Sequence, residues 1–314
     1  MLKKSDYIRY FCKNKIRVIK RKLRFKLKPA TYKKEILPDS SNYIKEIIYS
    51  KKPAMICRFG ANEGAATAEG IAVKLGLKCK KRIMKRVLTG MHKNAGLFPY
   101  GADSILRFSD IIVKSALSAD VIGYWEAYMQ DYLIDCVCRK DVKLIDLKEL
   151  EPYYSDEPWS EALSGLKVVV VHPFSNTIEK QYAIRTKLFS DKRILPDFSL
   201  RTVKAVQSSA YETDNRFKDW FEALEYMFNE VMKEDFDVAI IGCGAYGFPL
   251  AAKIKEAGKI AIHMGGATQI LFGIKGKRWD SFPEISRFYN DYWVRPSDED
   301  KPKKAELVEG GCYW

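Results

Sequence analysis

No stretch of this 314-residue chain approaches the roughly 20 consecutive apolar residues that a bilayer-spanning helix needs. Its first residues are too basic and too broken to hold the apolar core of a secretory signal, so a cytoplasmic location is expected. The seven cysteines (Cys12, Cys57, Cys79, Cys136, Cys138, Cys243, Cys312) are odd in number and include no Cys-x-x-Cys pair. That pattern argues against both a disulfide framework and a zinc ribbon, and reduced, mostly buried thiols are expected. No internal repeat, low-complexity tract, helix-turn-helix or RNA-binding signature is present, and nucleic acid is not an expected partner.

What the chain does have is apolar material and positive charge. Hydrophobic residues make up 47% of it, enough to bury a sizeable core in one large or two small domains. Lysine and arginine exceed acidic residues by 54 to 40, and the excess favours polyanionic partners. Much of it sits in residues 1–34, where Lys3, Lys4, Arg9, Lys13, Lys15, Arg17, Lys20, Arg21, Lys22, Arg24, Lys26 and Lys28 alternate with Tyr7, Ile8, Tyr10, Phe11, Ile16, Val18, Ile19, Leu23, Phe25 and Leu27. Such a basic amphipathic segment suits an anionic membrane surface, as a peripheral attachment to the inner face of the plasma membrane. The other reading is a helix that packs its apolar stripe on its own domain. Residues 1–40 therefore form a leader and linker, 41–295 the globular body, and 296–314 a polar, loosely held tail.

Within the body, 41–50 reads as a short helix capped by Ser40 or Ser41. Strands are expected at 54–59, 121–125, 142–147, 167–171, 203–206, 236–241 and 260–263, and helices at 62–75, 80–93, 104–119, 177–189, 217–233 and from about 247 to 257. The clearest strands are apolar throughout rather than alternating, which predicts a parallel sheet covered on both faces. The fold class is α/β, a Rossmann-like, doubly wound, mostly parallel sheet.

Ligands of such sheets bind beyond the carboxyl ends of the strands, and three places qualify. The first is Arg58-Phe59-Gly60-Ala61-Asn62-Glu63. Arginine can fork onto phosphate oxygens, and a carboxylate at a helix start can hold a divalent ion or a sugar hydroxyl, or simply favour the helix terminus. The second, Gly242-Cys243-Gly244-Ala245-Tyr246-Gly247, matches Gly-x-Gly-x-x-Gly between strand and helix and lets backbone approach phosphate. The next strand ends in His263-Met264-Gly265-Gly266, without the acid a dinucleotide ribose wants. The third place joins His172, Asn176, Glu179, Gln181 and Arg185 with His263, Gln269, Lys275, Lys277 and Arg278, so that two of only three histidines end strands on one edge.

Arg58-Phe59-Gly60 followed by Glu63 resembles the Arg-Phe-Gly-Asp-x-Glu signature of bacterial GT-D fold glycosyltransferases. The run through Val238, Gly242, Gly244, Leu250, Ala251, Gly258, Ala261 and Gly265 is similar to that family's second glycine-turn unit. The resemblance implies a nucleotide-sugar donor, a saccharide or lipid-linked acceptor, a divalent metal (Mn or Mg), and work in surface polysaccharide or glycoprotein assembly. Ala61 stands where the signature has its first carboxylate, leaving Glu63 alone as metal ligand and the metal dependence in question.

On that reading Arg58, Gly60, Asn62, Gly242, Gly244, Gly247, Gln269, Lys275 and Arg278 bind the donor, with Arg58, Lys275 and Arg278 neutralising the departing diphosphate. Glu63 orients the donor or holds the metal, and His172, Glu179 or His263 takes the acceptor's proton. The rivals are a dinucleotide- or methyl-donor-dependent Rossmann enzyme and a non-enzymatic, membrane-recruited assembly protein with a degenerate transferase fold.

Overall fold

A computed structural model of the chain describes residues 2–23, 34–209, 211, 214–301, 304–308 and 310–314. The basic residues Arg24, Lys26 and Lys28 and the linker expected from Pro29 onward fall at 24–33, outside the described residues.

The elements are α1 (Lys4–Leu23), α2 (Ser40–Ser50), β1 (Ala54–Arg58), α3 (Ala61–Lys74), α4 (Lys85–Lys93), α5 (Ala102–Ala116), β2 (Val121–Tyr124), α6 (Gln130–Cys136), β3 (Lys143–Asp146), β4 (Lys167–His172), α7 (Ser175–Ala183), β5 (Ser199–Lys204), α8 (Trp220–Met232), β6 (Val238–Ile241), α9 (Gly247–Glu256), β7 (Ile260–His263), α10 (Thr268–Leu271) and α11 (Pro283–Ser286). The seven strands form one parallel sheet in the order β3-β2-β1-β7-β6-β4-β5. The fold is thus a doubly wound, Rossmann-like α/β sheet.

Why the strands read as unbroken apolar runs is visible in their two faces. Met55, Cys57, Val169, Val171, Ala239 and Ile241 enter one core, with α3, α5, α8 and α9. Ala54, Ile56, Val168, Val170, Val238 and Ile240 enter the other, with α2, α7 and α10. Successive side chains point to opposite faces, so both sets of positions must be apolar.

The winding also fixes where a crevice opens. The chain leaves β1 and β6 into α3 and α9 on the first face, whereas it leaves β4 and β7 toward α7 and α10 on the second. In the sheet β7 lies between β1 and β6, and β4 lies on the other side of β6, so backbone parts in opposite directions at all three junctions. Such points are where doubly wound sheets hold ligands.

Several local expectations change. The helix expected at 80–93 is α4 alone, preceded by a separate short turn at Lys80–Arg82, and the one expected at 177–189 is α7, which ends at Ala183. The α2 cap is Asp39, whose carboxylate accepts the Asn42 N–H at 3.4 Å, while the Ser40 hydroxyl donates back to the Leu37 carbonyl at 2.9 Å. The strand expected at 203–206 is β5 at Ser199–Lys204, pairing with β4 along its whole length. Finally, the tail at 296–314 is docked rather than loose. Asp300 is 1% exposed and accepts from the Thr177 N–H at 3.0 Å and hydroxyl at 2.7 Å, supplying the start of α7 with the cap that Phe174 does not provide. Ala305, Val308 and Cys312 are buried beyond it.

Helix α1 is used on one side. The Tyr7 hydroxyl donates to the Ala68 carbonyl at 3.0 Å, Tyr10 donates to Asp135, Asn14 accepts the Met129 N–H at 3.2 Å, and Arg17 reaches the Glu126 and Ala127 carbonyls. Ile8, Ile16 and Ile19 are left on the exposed side. Among the described residues no helix is long and apolar enough to cross a membrane.

Candidate functional site

Beyond the carboxyl ends of β1 and β7 lies a cleft of about 310 Å³, lined by Arg58, Glu63, Glu151, His263 and Arg278 among others. A smaller cavity of about 120 Å³ adjoins it beyond β4 and β6, lined by His172, Phe174, Tyr246 and Trp314. Asn94, Ala95, Gly244, Ala245, Gly266 and Tyr313 line both, so the two form one crevice.

Arg58 ends the strand beside the centre of the crevice. Its guanidinium lies 5.1 Å from the centre of the Trp125 ring, and the Trp125 indole N–H is fixed to the Phe59 carbonyl at 3.0 Å. Among the described residues Arg58 makes no ion pair and donates no hydrogen bond, so its N–H fork is available to a ligand. Gly60 caps α3, and a β-carbon there would run into the Glu63 carboxylate. Glu63, three residues into the helix, thus has its carboxylate folded back against Gly60. Asn62 stands at the rim.

The three motif glycines have three different reasons. At Gly242 a β-carbon would collide with the His172 ring and with Thr268, and at Gly247 with the His263 ring. Only Gly244 faces open space, at φ +58°, in the left-handed region glycine tolerates. It opens a short turn leading into α9, and the first N–H groups of such a turn have no partner within it. Gly242 and Gly247 therefore house histidines, whereas Gly244 serves the left-handed turn that leads into α9.

Both histidines are buried and held neutral. Burial lowers the pKa of His172 to about 3, with Asp300 opposing weakly. Its Nδ1 accepts the Phe174 N–H at 3.0 Å, which leaves the proton on Nε2. His263 is lowered to about 3 by burial and then by the Arg58 charge. Its Nδ1 stands 3.3 Å from the Ile241 carbonyl, which can only accept, so Nδ1 is protonated and Nε2 keeps a lone pair.

Sequence reasoning missed Glu151. It follows the short turn Leu147–Leu150 after β3, and accepts the Tyr153 hydroxyl at 2.5 Å. Burial raises its pKa, against the Tyr153 hydrogen bond and the charges of Arg58 and Lys148. The signal for it is its place one short turn beyond the carboxyl end of β3.

Not every expected residue gathers here. Glu179 is exposed and accepts from the Thr202 hydroxyl on β5, away from the crevice, because Ile178 and Tyr182 take the inward face of α7. Lys275 lies over the Tyr289 ring at 5.3 Å and does not line the cleft; Lys277 is exposed. Gln269 is a clasp: its Nε2 donates to the carbonyls of Ile274, Lys275 and Tyr313, pinning the tail against the smaller cavity. Asn176, Gln181 and Arg185 bond to Glu299, the Gly273 carbonyl and Asp197. Arg278 does join, with Nη1 3.3 Å from the Tyr313 hydroxyl.

The donor set does not fit a divalent ion. Ala61 supplies no ligand atom, Glu63 is turned onto Gly60, and among the described residues no cluster of three or more His, Cys, Asp or Glu could hold a metal. What fold and crevice define is a doubly wound α/β protein with a cationic, carboxylate-bearing cleft at its topological switch. No protein-family model, curated protein or solved structure matches the chain.

Proposed function

We propose that the protein is a glycosyltransferase that moves a sugar from a nucleoside diphosphate to an acceptor hydroxyl, without a metal ion at Glu63. The observation that carries this reading is the Arg58 guanidinium, without an ion pair among the described residues, sharing a cleft with the half-buried carboxylate of Glu151. A diphosphate leaving group needs its charge neutralised. Arg58 offers a bidentate fork, Arg278 a second cation, and the turn at Gly244 with the amino end of α9 offers backbone N–H groups. The aromatic smaller cavity, with Phe174, Tyr246 and Trp314, suits the flat base of the nucleotide.

The proton of the acceptor hydroxyl goes to Glu151. A general base works best with a pKa near the operating pH, and burial moves this carboxyl upward. The histidines move the other way, to about 3, and each pKa unit is about 1.4 kcal/mol of lost basicity. His172 is further unsuited because its Nδ1 is occupied and its Nε2 already protonated. His263, with Nε2 free to accept, orients a hydroxyl rather than deprotonating it.

The test is release of nucleoside diphosphate from a panel of nucleotide sugars, with water as a slow acceptor. One donor should be hydrolysed by the wild type and not by Glu151→Gln. Binding of a nicotinamide or methyl donor with no nucleotide-sugar turnover would replace this reading by the dinucleotide- or methyl-donor one.

A further inference from the structure

The outer side of α1 and the groove behind it point to one ligand. Ile8, Ile16 and Ile19 are 48%, 53% and 55% exposed, and Cys12 between them is exposed as well. At about 3.6 residues per turn the four form a single stripe. Lys4 and Lys15 flank it on one side; on the other stand Arg9 and Lys13, which also pair with Asp6 at 3.3 Å and Asp131 at 3.7 Å, and all four are exposed. The opposite face is already committed through Tyr7, Tyr10 and Asn14, so the stripe cannot turn inward without breaking those contacts. An apolar stripe between two rows of cations matches the boundary between acyl chains and anionic headgroups.

Between α1, α3 and α4 runs a groove of about 840 Å³, walled by Phe11, Val18, Ile19, Met84, Val87 and Tyr128. Of its cations, Lys78 is neutralised by Glu69 at 2.6 Å, whereas Lys15 and Arg86 have no carboxylate partner among the described residues. The groove ends at Asn62 and Asn94, which also line the Arg58 cleft. An apolar channel with unpaired cations, open at one end to a membrane-facing helix and at the other to the cleft, fits an amphiphile bearing a phosphate.

We propose that α1 lies in the interface of an anionic bilayer and that this groove admits a lipid-linked phosphate to the cleft. The membrane contact stands alone; calling the lipid phosphate the acceptor rests on the transferase reading.

The experiment measures sedimentation of the full chain with vesicles of mixed phosphatidylglycerol and phosphatidylcholine, and with phosphatidylcholine alone. Thermal shifts with geranyl phosphate and with inorganic phosphate are read in parallel. Wild type should prefer the anionic vesicles by roughly tenfold or more, and Ile8→Asp/Ile16→Asp should lose that binding with an unchanged melting temperature. Geranyl phosphate should stabilise the wild type and not Arg86→Glu, with inorganic phosphate inactive. Equal binding to neutral vesicles, or a double variant that still sediments, overturns the interface. Inorganic phosphate matching geranyl phosphate, or neither acting, overturns the groove. Nucleotide-sugar binding that persists through these failures leaves the transferase reading in place.

Discussion

The positive charge of Arg58 lowers the pKa of Glu151 against the upward push of burial, yet the two side chains form no ion pair. An ion pair would have consumed both groups; without one, the proposed transferase can use the arginine for an anion and the carboxylate for a proton. Glu151→Gln should therefore reduce donor hydrolysis by roughly 10²- to 10⁴-fold while donor affinity changes little. The wild-type rate should rise with pH as Glu151 loses its proton. Removing the nearby cation in Arg58→Ala should move that rise to higher pH, and Glu151→Gln should abolish it.

The motif glycines should separate on substitution. Gly242→Ala and Gly247→Ala press a methyl group into a histidine ring and should each cost about 1–3 kcal/mol, read by chemical denaturation. Gly244→Ala meets no atom within 4 Å and pays only for its backbone, about 1–2 kcal/mol. Its loss should appear as weakened donor binding as well.

Acid should destabilise the fold through the histidines. Their folded pKa values, about 3, lie below the ordinary 6.5, so the unfolded chain binds protons first as pH falls. Their contribution is complete above pH 6.5 and is lost between there and about 3. The slope is about 1.4 kcal/mol per pH unit for each histidine. Unfolding free energies measured across this range should show a shallower slope in His172→Asn than in wild type; equal slopes would contradict the assignment.

Docking of the tail should depend on Asp300. Asp300→Ala removes two hydrogen bonds to Thr177 and leaves the start of α7 without its cap, a loss of about 1–3 kcal/mol. Proteolysis within 301–314 should speed up in this variant, since Tyr313 and Trp314 line the crevice only while the tail is held.

The sheet was legible because a strand buried on both faces must be apolar at every position, and 168–171 and 238–241 are. Arg58 was legible because strand ends at a topological switch are exposed to ligands. The roles of Gly242 and Gly247 were not, because a ring packed on a glycine comes from a distant strand and leaves no local trace. Glu151 was missed because a short turn and Pro152, rather than a strand end, carry it to the cleft. Glu179 misled because one residue along a helix rotates a side chain from core to solvent. The tail buries only scattered residues such as Ala305, Val308 and Cys312, too sparse for any periodicity.

The most direct measurement is calorimetric titration of wild type and Arg58→Ala with nucleotide sugars, both without divalent metal and with manganese. Metal-free donor binding through Arg58 predicts one donor that binds without metal and loses roughly ten- to hundredfold in affinity when the guanidinium is removed. Binding that requires manganese, or that is indifferent to Arg58, would contradict it.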